Sequence, residues 1–137
     1  MSKKRNILIT GGAGFIGSNI VERLLSLEEV GLVRVLDNFA TGNRDNLKKF
    51  QNHPKFEFVW GDIREYSTCY EACQNIDRIS HQAALGSVPR SIRNPLTTNN
   101  VNITGTLNIF TAAKEQGIDR VVYAASSSTY GDSPNLP

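Results

Sequence analysis

The sequence predicts an α/β fold, an open parallel sheet wound in both directions with strands in the order 3-2-1-4-5, and three observations carry that prediction. Short apolar runs alternate with stretches of helical periodicity along the whole chain, which implies right-handed βαβ crossovers and helices on both faces of a parallel sheet. The first apolar run ends directly in a cluster of glycines that opens a helix. The second run closes on an aspartate, Asp37. The pattern reads as one dinucleotide-binding domain over residues 1–137.

Taken in order, Asn6-Ile7-Leu8-Ile9-Thr10 is the first strand, and Ile20, Val21, Leu24 and Leu25 recur at helical spacing after Gly11-Gly12-Ala13-Gly14-Phe15-Ile16-Gly17. Residues 33–37 make a second strand, 45–50 a short helix and 56–60 a third strand that stops at Gly61-Asp62. A helix around 67–73 leads to a fourth strand at 77–81. One long helix is expected over 101–116, with Val101, Ile103, Leu107, Ile109, Phe110 and Ala113 on its apolar side and Gly117 ending it. Residues 120–124 form the fifth strand, Ser126 to Gly131 leave its carboxyl end, and 131–137 read as loop.

Composition narrows the function classes. The 137 residues are 39% hydrophobic and 20% charged, too apolar for a disordered chain, and the two cysteines are too few for a disulfide scaffold. Fifteen Lys plus Arg against thirteen Asp plus Glu leave a charge of +2, and apart from Lys3-Lys4-Arg5 the basic residues are scattered, so nucleic acid is not the expected partner. No apolar run reaches the roughly 18 residues of a membrane span, and no signal-peptide core follows the basic start. A cytoplasmic protein with reduced Cys69 and Cys73 is expected, and no metal site, because no further Cys or His completes one.

The glycines at 11, 14 and 17 stand between a strand and a helix, where missing side chains let backbone N–H groups and the helix dipole approach a pyrophosphate. Asp37 follows about 20 residues later, where a carboxylate accepts from both hydroxyls of an adenosine ribose and repels a 2′-phosphate, favouring NAD over NADP. Asp62, ending the third strand on the same sheet edge, can accept from the adenine amino group or cap the next helix. His81 ends the fourth strand and reads as a satisfied core residue; His53 carries no signal.

The motifs Thr10-Gly11-Gly12-Ala13-Gly14-Phe15-Ile16-Gly17, Asp37-Asn38-Phe39-Ala40-Thr41-Gly42, Gly61-Asp62-Ile63-Arg64, His81-Gln82-Ala83-Ala84, Asn102-Ile103-Thr104-Gly105-Thr106 and Ser126-Ser127-Ser128-Thr129-Tyr130-Gly131 resemble the successive signatures of the extended short-chain dehydrogenase/reductases, the NAD-dependent epimerase/dehydratase family. The stretches from His81 to Ser91 and from Ala124 to Asp132 are similar to the UDP-N-acetylglucosamine 4-epimerases of O-antigen and Vi polysaccharide synthesis. The resemblance implies a Rossmann-type domain with NAD as cofactor. Gly11, Gly14, Phe15, Ile16 and Gly17 would hold the pyrophosphate, and Asp37, Asn38, Thr41 and Gly42 the ribose. Asp62 and Ile63 would meet the adenine and Gln82, Ala83 and Ala84 the nicotinamide half, with Asn102 supporting the site. Gly86, Ser87, Ser127 and Ser128 would face a UDP-sugar, and Ser126 would occupy the catalytic Ser/Thr position.

One departure qualifies these expectations. The family's Tyr-x-x-x-Lys is missing: the residues four beyond Tyr66, Tyr70, Tyr123 and Tyr130 are Tyr70, Gln74, Ser127 and Pro134. The chain therefore reads as an amino-terminal fragment, stopping before that helix and the substrate domain. Its parent would be a 4-epimerase acting as a homodimer, interconverting UDP-N-acetylglucosamine and UDP-N-acetylgalactosamine through a 4-keto intermediate. The fragment alone would be inactive. The alternatives are a dehydratase or reductase of the same superfamily, and a non-catalytic dinucleotide-binding protein if 137 residues is the natural length.

Overall fold

A computed structural model describes residues 4–132 and 134. Five parallel strands, β1 (Arg5–Thr10), β2 (Val30–Asp37), β3 (Phe56–Trp60), β4 (Arg78–His81) and β5 (Val121–Tyr123), form one sheet in the order β3-β2-β1-β4-β5. This is the order expected from the sequence. The direction of winding reverses between β1 and β4, and the register sets Thr10 level with Leu36 on one side and His81 on the other. Three carboxyl ends are thereby aligned beside the crevice that such a reversal opens.

Period-two alternation sends neighbouring residues of each strand to opposite faces, and each face has its own core. Leu8, Leu36 and Ile79 pack with Cys69 and Ala72 of α3 (Tyr66–Ala72), with Cys73 directly after it, and with Ile109, Ala112 and Ala113 of α6 (Thr106–Glu115). Ile9, Val33 and Val35 point the other way, onto Val21 and Leu25 of α1 (Phe15–Leu25) and Leu47 of α2 (Asp45–Lys48). Leu8 and Ile9, adjacent in sequence and both fully buried, therefore belong to different cores, which is why the run from Ile7 to Ile9 is apolar without alternation.

The single helix expected over 101–116 is a correction. The chain is already helical from α5 (Pro95–Asn99), passes through a π-helical turn at Asn100–Gly105 and continues as α6. Asn94 starts it, its Oδ1 accepting from the Thr97 N–H with Pro95 at the first helical position. Gly105 lies against Ile63, where a Cβ would stand 2.6 Å from the Ile63 side chain. A further helix, α4 (Val88–Arg93), was not expected; Ser87 caps it by accepting from Arg90 N–H. Neither α4 nor α5 buries a residue, so neither leaves an apolar periodicity to read. β2 begins at Val30 rather than 33, since Gly31, beside a register shift against Arg5 and Asn6, interrupts its pattern. Ser127–Tyr130 form a 3-10 turn after β5. Of the loop expected over 131–137, residues 133 and 135–137 lie outside the described residues, as do Met1, Ser2 and Lys3 at the other end.

Candidate functional site

At the end of β1 the chain turns at Gly11, whose φ of +69° is a left-handed conformation that side chains resist. Gly11 N–H donates to Leu36 O at 2.9 Å, pinning the turn to β2, and a Cβ on Gly11 would stand 2.7 Å from Ala83 N. A Cβ on Gly17 would collide with Gly11 O, so the start of α1 lies directly on the turn. No described side chain caps α1. The N–H groups of Phe15, Ile16 and Gly17 thus open the helix with their dipole directed at the turn, as an anion site requires.

Asp37 is only 9% exposed, yet its carboxylate borders the cleft. Its Oδ2 accepts from Ala13 N–H at 2.9 Å and its Oδ1 from Phe39 N–H at 2.7 Å, which orients the group and leaves each oxygen a further lone pair. Asp62 does not cap α3, whose entry residue is Glu65. Its Oδ2 accepts from Asn38 Nδ2 at 2.9 Å and from Arg64 Nη2 at 2.7 Å, and its Oδ1 from Arg64 N–H at 2.9 Å. The Arg64 guanidinium holds this carboxyl below the usual carboxylate range.

The opposite wall is the chain leaving β4. Ala83 N–H donates to Thr10 Oγ1 at 3.2 Å, and Asn102, on the π-helical turn, holds both backbone polar groups of Leu85, accepting from its N–H at 2.8 Å and donating to its carbonyl at 3.0 Å. Between these elements runs a cleft of about 180 Å³. Gly11, Gly14, Asp37, Asn38, Thr41, Gly42, Asp62, Ile63, Gln82, Ala83 and Ala84 all line it. Phe15, Ile16, Gly17 and Asn102, also expected at the cofactor, are not among the lining residues, and the side chains of Phe15 and Ile16 are exposed. Arg64, Leu85, Thr97 and Val101 also line the cleft and were not foreseen. Arg64 could have been read from its place after Asp62, and Thr97 from the Asn94-Pro95 helix start.

The expected sugar-facing residues are not part of this lining. Gly86 stands in open space, Ser87 caps α4, and Ser126, Ser127 and Ser128 are exposed on the turn after β5. Ser126 Oγ lies 2.6 Å from Ser128 Oγ and accepts from Ser128 N–H at 3.2 Å. His81 is 4% exposed, and burial pushes its imidazole down to about 4. Burial likewise pushes the thiols of Cys69 and Cys73 up, to about 12 and about 11. Among the described residues no group of three His, Cys, Asp or Glu could hold a metal ion, and no helix is long and apolar enough to cross a membrane.

A family model described as GDP-mannose 4,6 dehydratase matches residues 8–137. The chain belongs to the GDP-mannose 4,6-dehydratase family. The family resemblance drawn from the motifs therefore holds. A relative, the putative UDP-glucose 4-epimerase of Methanocaldococcus jannaschii, is 40% identical over 133 residues, which are 96% of this chain and 41% of that protein. The solved UDP-N-acetylglucosamine 4-epimerase from Methanobrevibacter ruminantium M1, in complex with UDP-N-acetylmuramic acid, superposes with a TM-score of 0.88 at 36% identity, covering 99% of this chain and 42% of that one. The UDP-glucose 4-epimerase of Thermus thermophilus, in complex with NAD, gives 0.83 at 38% identity, covering 96% and 41%. This member of the GDP-mannose 4,6-dehydratase family thus spans about two-fifths of the length of the relatives it matches.

Proposed function

We propose that this chain is the NAD-binding part of a nucleotide-sugar 4-epimerase that interconverts UDP-N-acetylglucosamine and UDP-N-acetylgalactosamine through a 4-keto intermediate. The observation that carries the cofactor assignment is Asp37, a nearly buried carboxylate fixed by Ala13 and Phe39 N–H at the cleft edge. A buried anion so placed accepts ribose hydroxyls and excludes a 2′-phosphate by like-charge repulsion. The uncapped start of α1 fits a pyrophosphate, and the glycine turn leaves room for it.

In this reading Phe15, Ile16 and Gly17 offer their N–H groups to the pyrophosphate, and Asn38, Thr41 and Gly42 enclose the ribose beside Asp37. Asp62 accepts from the adenine amino group while Ile63 packs on the ring. Gln82, Ala83 and Ala84 form the wall of the nicotinamide half, braced by Asn102. When bound, NAD supplies a reversible two-electron acceptor for C4 of the sugar. Ser126 hydrogen-bonds the sugar O4 and passes its proton, with Gly86, Ser87, Ser127 and Ser128 flanking the sugar. A dehydratase would carry an acid pair where this chain has Ser127 and Ser128, and that difference favours epimerisation.

A homodimer of the whole protein is part of the proposal; Ile92, Leu96, Ile103 and Leu107, each more than 60% exposed, give it an apolar surface. Two buried free thiols suit the reducing cytosol, and polysaccharide synthesis would consume the product. Calorimetry with NAD and NADP tests the cofactor assignment. NAD should bind more tightly, and Asp37→Ala should weaken NAD about tenfold or more while narrowing the preference. Tighter binding of NADP would overturn it.

A further inference from the structure

The residue set aside in the sequence as a core histidine sits in a chain of hydrogen bonds whose direction can be worked out. Thr10 is fully buried, so its hydroxyl proton must find an acceptor. Ala83 N–H donates to Thr10 Oγ1 at 3.2 Å, and Gln82 N–H divides itself between Thr10 O at 3.1 Å and Oγ1 at 3.2 Å. These donors occupy the lone pairs of the hydroxyl. The remaining neighbour is His81 Nδ1 at 2.6 Å, which therefore accepts the Thr10 proton. On the far side of the ring, Thr106 Oγ1 donates to Asn102 O at 2.7 Å and lies 3.0 Å from His81 Nε2, so Nε2–H donates to Thr106. The direction is consistent at every link, from Thr10 through His81 and Thr106 to the carbonyl of Asn102, whose own carboxamide holds Leu85.

We propose that His81 and Thr106 are positioning residues, which lock the wall at residues 82–85 to the glycine turn on one side and to the π-helical turn on the other, with His81 fixed as the Nε2–H tautomer. The inference deepens the cofactor reading above and rests on it for what the wall is for, not for whether the chain of bonds exists. Phe110 lies edge-on to the imidazole at 6.4 Å, so the ring is held by packing as well as by its two hydrogen bonds. A protonated ring would set a second proton against a Thr10 oxygen that has no lone pair left for it. Burial pushing the group down to about 4 agrees with that geometry. Asn102 and Thr106, four residues apart and so on one face of the helical segment, both lie on the side of His81, one holding the wall and the other holding the ring.

The test uses the 137-residue chain. In a His53→Gln background, which leaves one imidazole, ring ¹⁵N shifts and their couplings should report Nε2 protonated and Nδ1 bare at neutral pH. An Nδ1–H tautomer, or a rapidly averaging mixture, would overturn the proposal. Amide exchange supplies the second arm. Thr106→Val keeps the shape and removes both hydrogen bonds, and should speed exchange at Leu85 and Ala83 roughly tenfold. Thr106→Ser should restore protection, and Thr111→Val, which removes a comparable bond to Leu107 O on the same helix, should leave residues 82–85 unchanged. Exchange that rises equally everywhere, or not at all at residues 82–85, would reduce Thr106 to an ordinary packing residue. NAD affinity should fall in Thr106→Val and return in Thr106→Ser. If the unaltered chain fails to bind NAD, the functional reading fails while the tautomer and exchange results still decide this one.

Discussion

Acidification titrates one buried imidazole, and the loss of stability it causes can be worked from the structure. Burial lowers His81 from 6.5 to about 4 in the folded chain, while the unfolded chain keeps the ordinary value. Between these two values the unfolded state binds the additional proton, so stability rises with pH across that window. The contribution is fully present above 6.5 and is lost as pH falls toward 4. A gap of about 2.5 pH units at about 1.4 kcal/mol each gives about 3.5 kcal/mol, a large fraction of the roughly 5 to 15 kcal/mol that holds a domain together. Asp62 is separable because its carboxyl is depressed below 3.8, so its contribution is lost only further down. Urea unfolding at steps from about pH 7 to about pH 4.5 should show the midpoint falling continuously at constant slope. A midpoint unchanged over that range would refute the reasoning, as would an undiminished decline in His81→Asn.

Gly11→Ala should lower the melting temperature and abolish NAD binding, because φ is +69° and the new methyl would stand 2.7 Å from Ala83 N, a strain of about 1 to 3 kcal/mol. Gly86→Ala, with nothing within 4 Å, is the matched control and should change neither. Cys69 and Cys73 should resist a disulfide reagent in the folded chain at about pH 8 and both react after unfolding, since burial suppresses the thiolates. Fast reaction of either native thiol would contradict its burial. In the full-length protein Ser126→Ala should lower kcat by roughly 10²- to 10⁴-fold with bound NAD retained. Near-normal turnover, or loss of NAD along with activity, would remove Ser126 from the proton path.

The parts of the fold that could be read from the sequence are those where burial imposes a pattern. β1, the glycine turn and α1 were readable because Leu8, Ile9, Val21 and Leu25 all face a core, and the strand order followed from the alternation of elements. α4 and α5 were not, because an exposed helix puts no constraint on which residues are apolar; only Ser87, Pro89, Asn94 and Pro95 marked them. The side of the cleft built on Asp37 and Asp62 was accessible because both acids follow directly from local spacing after a strand. Leu85 and Val101 reach the cleft through tertiary packing that spacing does not encode. His81 was rightly placed in the core, but Thr106, which completes its hydrogen bonding, lies 25 residues further on and on another element.

The strand order has an entropic consequence for the cleft. The side lined by Asp37 and Asp62 is tied by Ala13 to Asp37 and by Asn38 to Asp62, each across 24 residues, whereas the other wall is tied by Thr10 to His81 across 71. Closing the longer loop costs about 1 kcal/mol more, since the penalty grows with the logarithm of length. The two halves of the site therefore differ in how dearly their closure is held. When the unfolded chain folds, the side built on Asp37 and Asp62 therefore closes at the lower entropic cost, and the wall beyond His81 at the higher.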